Sequence, residues 1–387
     1  VKQAAFIQHP LRLAYQFGED HPFNPVRLRL TEDLLERIGG LQPEDVVVPS
    51  SATLEQLEAV HLKSFVQTLA STTTGDEPAL EHYGMNTEDT PWFPNVHEVT
   101  AAIVGGTIQA ADMVMRGEVE HAYHMAGGLH HAMREKASGF CVYNDAAAAI
   151  AHVRKTFGAK VLYVDTDVHH GDGVQMIFYD DPDVCTMSIH ETGKYLYPGT
   201  GFVYERGEGA GFGRSINLPM EPYTEDDSWM ACFTEALTQV VEKFQPDLII
   251  SQHGCDAHRD DPLGHIACSM HIFHAMPRVI HELAHKHCGG RWVALGGGGY
   301  DWWGVVPRAW SMLWLEMVDH PLLRDLDRLR EEPLPADWIA HWQGQAPAGT
   351  SLPTHWLDEK SAWDAMPRRS EITVKNAETL LLALLYI

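Results

Sequence analysis

At 387 residues with 45% hydrophobic content, the chain is long enough to bury a sizeable core. Asp and Glu number 53 against 28 Lys and Arg, and the formal charge of -25 disfavours nucleic acid and anionic membrane as partners while suiting cationic substrates. Six scattered cysteines with no CxxC pair fit a reduced cytoplasm, and neither "VKQAAFIQHPLRLAYQF" at the start nor "LLLALLYI" at the end reads as a secretory or membrane-spanning segment.

In chain order, the first β-rich run is "DVVVP" (45–49), and "EHYGMNTEDTPWFPNVHE" reads as a long ordered loop before a helix over 98–115. After the glycine-punctuated "AGGLHHAMREKASGFCVYND" comes a helix over 144–157, which Asn144 can cap and Gly158 can end. The strand runs "KVLYVDTD" (160–167), "DVCTMSIH" (183–190), "DLIISQH" (247–253) and "RWVALGGGG" (291–299) then alternate with helix-period segments over 225–244 and 270–287. These runs are apolar almost throughout, so they predict mainly parallel strands with helices on both faces, a three-layer α/β/α domain. "GQAPAGTS" (344–351) marks a linker, and "KNAETLLLALLYI" predicts a helix that docks either on its own domain or on a partner chain.

The chemistry gathers at strand ends, where open α/β sheets place their sites. In "YVDTDVHHGDG" the spacing of Asp165, Asp167 and His169 by two sends their side chains to one face of an extended strand. Carboxylates and an imidazole suit a divalent metal. Asp256, after Gly254 and Cys255 at another strand end, completes a set of Asp167, His169 and Asp256 with open positions, the pattern of a catalytic metal. His258, His265 and Cys255 lie near as competitors, with surface or packing roles expected. His130 and His131 follow Gly127 and Gly128, whose backbone freedom lets adjacent residues serve one pocket for proton transfer near neutral pH. "LGGGGY" lacks the Lys-Ser/Thr of a phosphate loop; its glycines let backbone pass close to something and deliver Tyr300, a donor to a developing oxyanion.

Together, "GGLHHA", "SGFCVYND", "VDTDVHHGDG", "SIHETGKYLYPGTG", "GCDAH", "DDPLGH" and "LGGGGY" closely resemble the zinc-dependent histone deacetylase family, in particular its bacterial acetoin utilization deacetylases, from about His21 to Glu316. The resemblance implies the arginase/deacetylase fold, a catalytic domain over 1–320 with a C-terminal extension over 321–387, and hydrolysis of acetyl-lysine amides in proteins. It implies Zn2+ on Asp167, His169 and Asp256, with Fe2+ also accepted by such ligands, and a structural K+ at Asp165, Asp167, His169, Ser188 and Ile189. Asp165 would orient His130, and Asp172 would orient His131. Gly139 would hold the substrate amide by its carbonyl, with Phe140, Tyr197 and Leu263 lining a narrow tunnel, Asp89 at the rim and Arg27 below the site. Cys255 departs from the Ala or Ser usual there. The implied partner is an acetylated protein, with acetyl-CoA synthetase as the candidate.

Acetylpolyamine hydrolysis remains open as an alternative within the same fold. A two-metal ureohydrolase is disfavoured because Gly254-Cys255-Asp256 stands where a second Asp-x-Asp is needed. A non-catalytic acetyl-lysine or metal-binding protein is disfavoured because both histidines and Tyr300 are present. The oligomeric state stays open.

Overall fold

Four of the five apolar runs form the middle of a single sheet, and the run 45–49 gives a two-residue strand at its edge. In the computed structural model, which describes residues 2–387, the strands are β1 (Lys2–Ile7), β2 (Val46–Val47), β3 (Val119–His124), β4 (Val161–Asp165), β5 (Val184–Glu191), β6 (Ser215–Met220), β7 (Leu248–Gln252) and β8 (Trp292–Leu295). Their order is β2-β1-β3-β8-β7-β4-β5-β6, and every ladder is parallel, so the mainly parallel sheet expected from sequence is wholly parallel among the described residues.

Strand alternation divides the core between two faces. Leu162 and Val164 of β4 join a core covered by the helices Val26–Arg37, Asp226–Phe244, Met270–Cys288 and Val305–Met317. Val161 and Tyr163 point the other way, into a core covered by the helices Val96–Met115 and Asp145–Phe157. The second of these begins and ends as its sequence predicts. Asn144 Oδ1 accepts from Ala147 N at 2.9 Å, and Gly158 closes the helix in the left-handed region at φ 63°.

β1, β3 and β6 carry alanine, histidine, glutamate or proline, which hides them in a search for apolar runs. Pro219 is tolerated in β6 because that strand lies at the sheet edge.

Residues after 320 pack on the same chain. Trp338, Trp342 and Trp356 are buried in the first core. Asp358 accepts from Met270 N at 2.8 Å and Arg308 Nη1 at 2.9 Å, and its other partner is His258 Nε2 at 2.8 Å. The Arg369–Ala383 helix lies against β6 and the Asp226–Phe244 helix. There buried Asn376 accepts from Glu221 N at 3.0 Å and donates to Thr224 Oγ1 and Ser228 Oγ at 2.8 and 2.9 Å. Among the described residues, no helix is long and apolar enough to cross a membrane.

Candidate active site

β4 ends at Asp165, so the alternation expected to carry Asp165, Asp167 and His169 to one face stops after its first member. Asp165 turns away from the other two. Its Oδ2 pairs with His130 Nδ1 at 2.7 Å and accepts from Tyr163 OH at 2.8 Å, while Oδ1 accepts from Asp167 N at 3.1 Å. The loop after the strand brings Asp167 and His169 together with Asp256. His169 Nδ1 lies 3.2 Å from Asp167 Oδ1 and 3.1 Å from Asp256 Oδ2, and all three residues are buried.

This donor set fits a divalent metal. Burial, and then the neighbouring Asp167 carboxylate, push Asp256 up to about 6, a conflict between two buried anions that a divalent cation relieves. The ligands are also held from behind. Asp167 Oδ2 accepts from Gln252 Nε2 at 2.9 Å and Gly298 N at 2.7 Å, and Asp256 Oδ1 accepts from Val168 N at 2.8 Å. A Cβ at Gly298 would sit 2.2 Å from Asp256 Oδ2, and one at Gly254 would sit 2.1 Å from Asp167 Oδ2. The glycines let backbone pass close to these two carboxylates.

His130 and His131 leave an irregular segment, with ring centroids 4.0 Å apart. Asp145 fixes that segment by accepting from Leu129 N at 2.7 Å, Gly128 N at 3.1 Å and Thr107 Oγ1 at 2.6 Å. Asn144 adds bonds to the carbonyls of His130 and Ala132 at 3.3 and 3.0 Å. The two histidines differ electrostatically. Burial works to lower His130, but Asp165 and Asp167 outweigh it and raise it to about 9. His131 Nδ1 pairs with Asp172 Oδ1 at 2.7 Å, yet burial and the charge of His130 push it down to about 4. The two rings are thus biased in opposite directions, His130 toward the charged form and His131 toward the neutral one.

A cavity of about 240 Å3 leads to the cluster, lined by Asp89, His131, Gly139, Phe140, His169, Leu196, Tyr197, Leu263 and Tyr300. The Tyr197 hydroxyl bonds Ser138 Oγ at 2.7 Å and its ring meets His131 edge to face at 5.1 Å. Phe140 adopts φ 69°, a conformation costly to a bulky residue; its carbonyl accepts from Tyr15 OH at 2.6 Å and its N–H donates to Thr90 Oγ1 at 3.3 Å. Asp89 is exposed at the rim. Burial, then Asp256 and Asp167, hold the Tyr300 phenol well above its ordinary range, so it stays a donor.

Arg27 lies outside the cavity lining. Buried behind Tyr300, its Nη1 donates to the carbonyls of Gly297 and Gly299 at 2.9 and 3.0 Å, and its guanidinium stacks over Phe23, 4.4 Å from the ring centre. Ser188 and Ile189 lie on β5, where Ser188 pairs with Asp165 in register, although its hydroxyl is engaged by His190 Nδ1 at 2.7 Å. His258 bonds Asp358, and His265 Nδ1 lies 2.9 Å from Glu191 Oε1. Cys255 is buried with its thiol pushed up by burial, which keeps it neutral. Sequence reasoning passed over Leu196, Gln252, Asp145 and Asp261, whose roles depend on long-range contacts.

Eight parallel strands, with histidines and carboxylates in a pocket beyond their carboxyl ends, define a hydrolase of the arginase/deacetylase fold. The chain belongs to the histone deacetylase family, whose histone deacetylase domain model matches residues 21–317. It is 48% identical over 386 residues to acetoin utilization protein AcuC of Bacillus subtilis (strain 168), a match covering 99% of this chain and 97% of that protein. The protein of the same name from Staphylococcus aureus (strain Mu50 / ATCC 700699) is 41% identical over 381 residues, covering 98% and 96%. Among solved structures, an HDAC homolog complexed with SAHA superposes with a TM-score of 0.83 at 27% identity, covering 99% of this chain and 100% of that one. An HDAC homolog from Aquifex aeolicus gives 0.80 at 26% identity, with 99% and 100% covered.

Proposed function

We propose that this hydrolase removes acetyl groups from acetylated lysines of proteins, using one divalent metal, Zn2+ or Fe2+, held by Asp167, His169 and Asp256. The observation that carries the reading is the convergence of those three residues at the floor of a cavity walled by Phe140, Leu196, Tyr197 and Leu263. Apolar walls suit the neutral methylene stem of acetyl-lysine, and exposed Asp89 offers a carboxylate to the backbone amides of a peptide. When bound, the metal supplies Lewis acidity that polarises an acyl oxygen and acidifies water.

The chain's own residues do the rest. His131, neutral and oriented by Asp172, takes a proton from the attacking water and returns it to the leaving amine. Tyr300 donates its phenol proton in a hydrogen bond to the developing oxyanion. His130 contributes positive charge beside the site. A structural K+ would use oxygens of Asp165, Asp167, His169, Ser188 and Ile189, which the pairing of β4 with β5 supports. Six free cysteines support a cytoplasmic setting.

The test compares kcat/KM for an acetyl-lysine peptide, acetylated acetyl-CoA synthetase, N-acetylputrescine and N-acetylspermidine. The peptide should exceed the polyamines, with Asp89→Ala weakening chiefly the peptide reaction. Polyamines ahead by tenfold, about 1.4 kcal/mol of transition-state stabilisation, would replace this reading with polyamine hydrolysis.

A further inference from the structure

A second set of ligand atoms converges at the other end of the sheet. His121 on β3 pairs in register with Trp292, the first residue of β8, whereas the pocket described above lies beyond the last residues of the strands. The Met270–Cys288 helix packs on β8 and presents His281 and His285 one turn apart, on one face. His281 Nε2 lies 3.0 Å from His121 Nε2 and 3.1 Å from His285 Nε2. One nitrogen from each residue falls within 4.8 Å of the other two.

Hydrogen bonding accounts poorly for this arrangement. His281 Nδ1 faces Glu316 Oε1 at 2.9 Å, which places its proton on Nδ1 and leaves Nε2 with a single lone pair. That lone pair confronts two imidazole nitrogens at once, and a linear hydrogen bond satisfies only one of them. Among the described residues no hydrogen bond through Nδ1 fixes the tautomer of His121.

A metal ion between the rings engages all three lone pairs. Zn–N bonds of about 2.0–2.1 Å in tetrahedral geometry separate the ligand nitrogens by roughly 3.3 Å, within a few tenths of an ångström of the two separations from His281 Nε2, and the His121 and His285 nitrogens lie within 4.8 Å of each other. Glu316 behind His281 is the carboxylate that typically orients a metal-bound imidazole and raises its basicity. Burial is graded across the set, with His121 buried, His281 half-buried and His285 exposed, so a fourth position opens toward water. Three imidazoles select borderline transition metals over Mg2+ or Ca2+.

We propose that His121, His281 and His285 form a second metal site, for Zn2+ or a similar divalent transition metal, that clamps the Met270–Cys288 helix to β3. It lies apart from the deacetylase pocket and is not needed for turnover.

Equilibrium dialysis of the full chain against Zn2+ decides the matter. Wild type should hold two equivalents, the His281→Ala/His285→Ala double variant one, and Asp256→Ala one. His285→Ala alone, with its exposed ring, should keep the fold and turnover, weaken the second equivalent at least tenfold and remove the rise in Tm that Zn2+ gives wild type. His287→Ala, a neighbouring histidine outside the cluster, should behave as wild type. A single equivalent that Asp256→Ala loses, a second equivalent that survives the double variant, or one that falls equally in His287→Ala overturns the proposal. A single equivalent kept by Asp256→Ala and lost in the double variant upholds this site and removes the metal from the other.

Discussion

Asp261 accepts a hydrogen bond from the backbone nitrogen of Tyr300 at 2.7 Å, and its other oxygen accepts from Leu263 N at 2.9 Å. One buried acidic side chain therefore holds the backbone at both Tyr300 and Leu263, a residue of the cavity wall. Removing two bonds of this kind costs about 1–3 kcal/mol each in local order. Asp261→Ala should lower kcat at least tenfold while KM changes less and the metal content, measured on the same sample, stays at the wild-type value. Loss of metal in step with activity would assign Asp261 to the metal site instead.

Tyr300→Phe keeps the ring that packs 5.9 Å from Phe140 and deletes only the hydroxyl. Turnover should fall roughly 10²- to 10³-fold, the usual effect of removing one oxyanion donor. Wild-type kcat at saturating substrate would show that the hydroxyl plays no part in the transition state.

Asp256→Ala removes one of the three proposed ligands and leaves His169 facing a single carboxylate. The expected outcome is loss of activity and of the metal equivalent in this pocket. Chelation of the wild-type enzyme should abolish turnover likewise, and added Zn2+ or Fe2+ should restore it in wild type alone. Full activity in Asp256→Ala contradicts the ligand set.

His61 lies beneath the histidine segment, with Nδ1 2.9 Å from Met133 O and Nε2 accepting from Asn144 N at 3.0 Å. Burial lowers it from the ordinary 6.5 to about 4. The unfolded chain takes up this proton as pH falls through 6.5 and the folded chain does not, so stability drops between pH 6.5 and 4 and levels off below. The single-site contribution is on the order of 3 kcal/mol. Urea midpoints should decline across that window, and the decline should be shallower in His61→Gln. Identical slopes in the two proteins would clear His61 of the acid sensitivity.

Much of this was legible in the chain because parallel strands buried on both faces need near-continuous apolar runs, and Val161–Val164 and Leu248–Ile250 have them. Asn144 and Gly158 announced a helix because capping is local chemistry. Asp167, His169 and Asp256 were readable as a candidate ligand set from residue type and position at strand ends, and the structure brings the three together. The pairing of His130 with Asp165 and of His131 with Asp172 came from family resemblance, since each dyad spans 35 or 41 residues. No local pattern ties Asp145 to Leu129, Gln252 to Asp167 or Asp261 to Tyr300. Those bonds exist only once separate strand ends meet.

The Arg369–Ala383 helix packs on β6, a strand with a paired neighbour on one side only. An uncovered strand edge is a template for other chains. Residues nearly 150 positions downstream of β6 thus lie against the last strand of the sheet. A chain ending before Arg369 would keep every residue of the pocket and leave β6 without this cover, and light scattering is expected to show self-association that the full chain lacks.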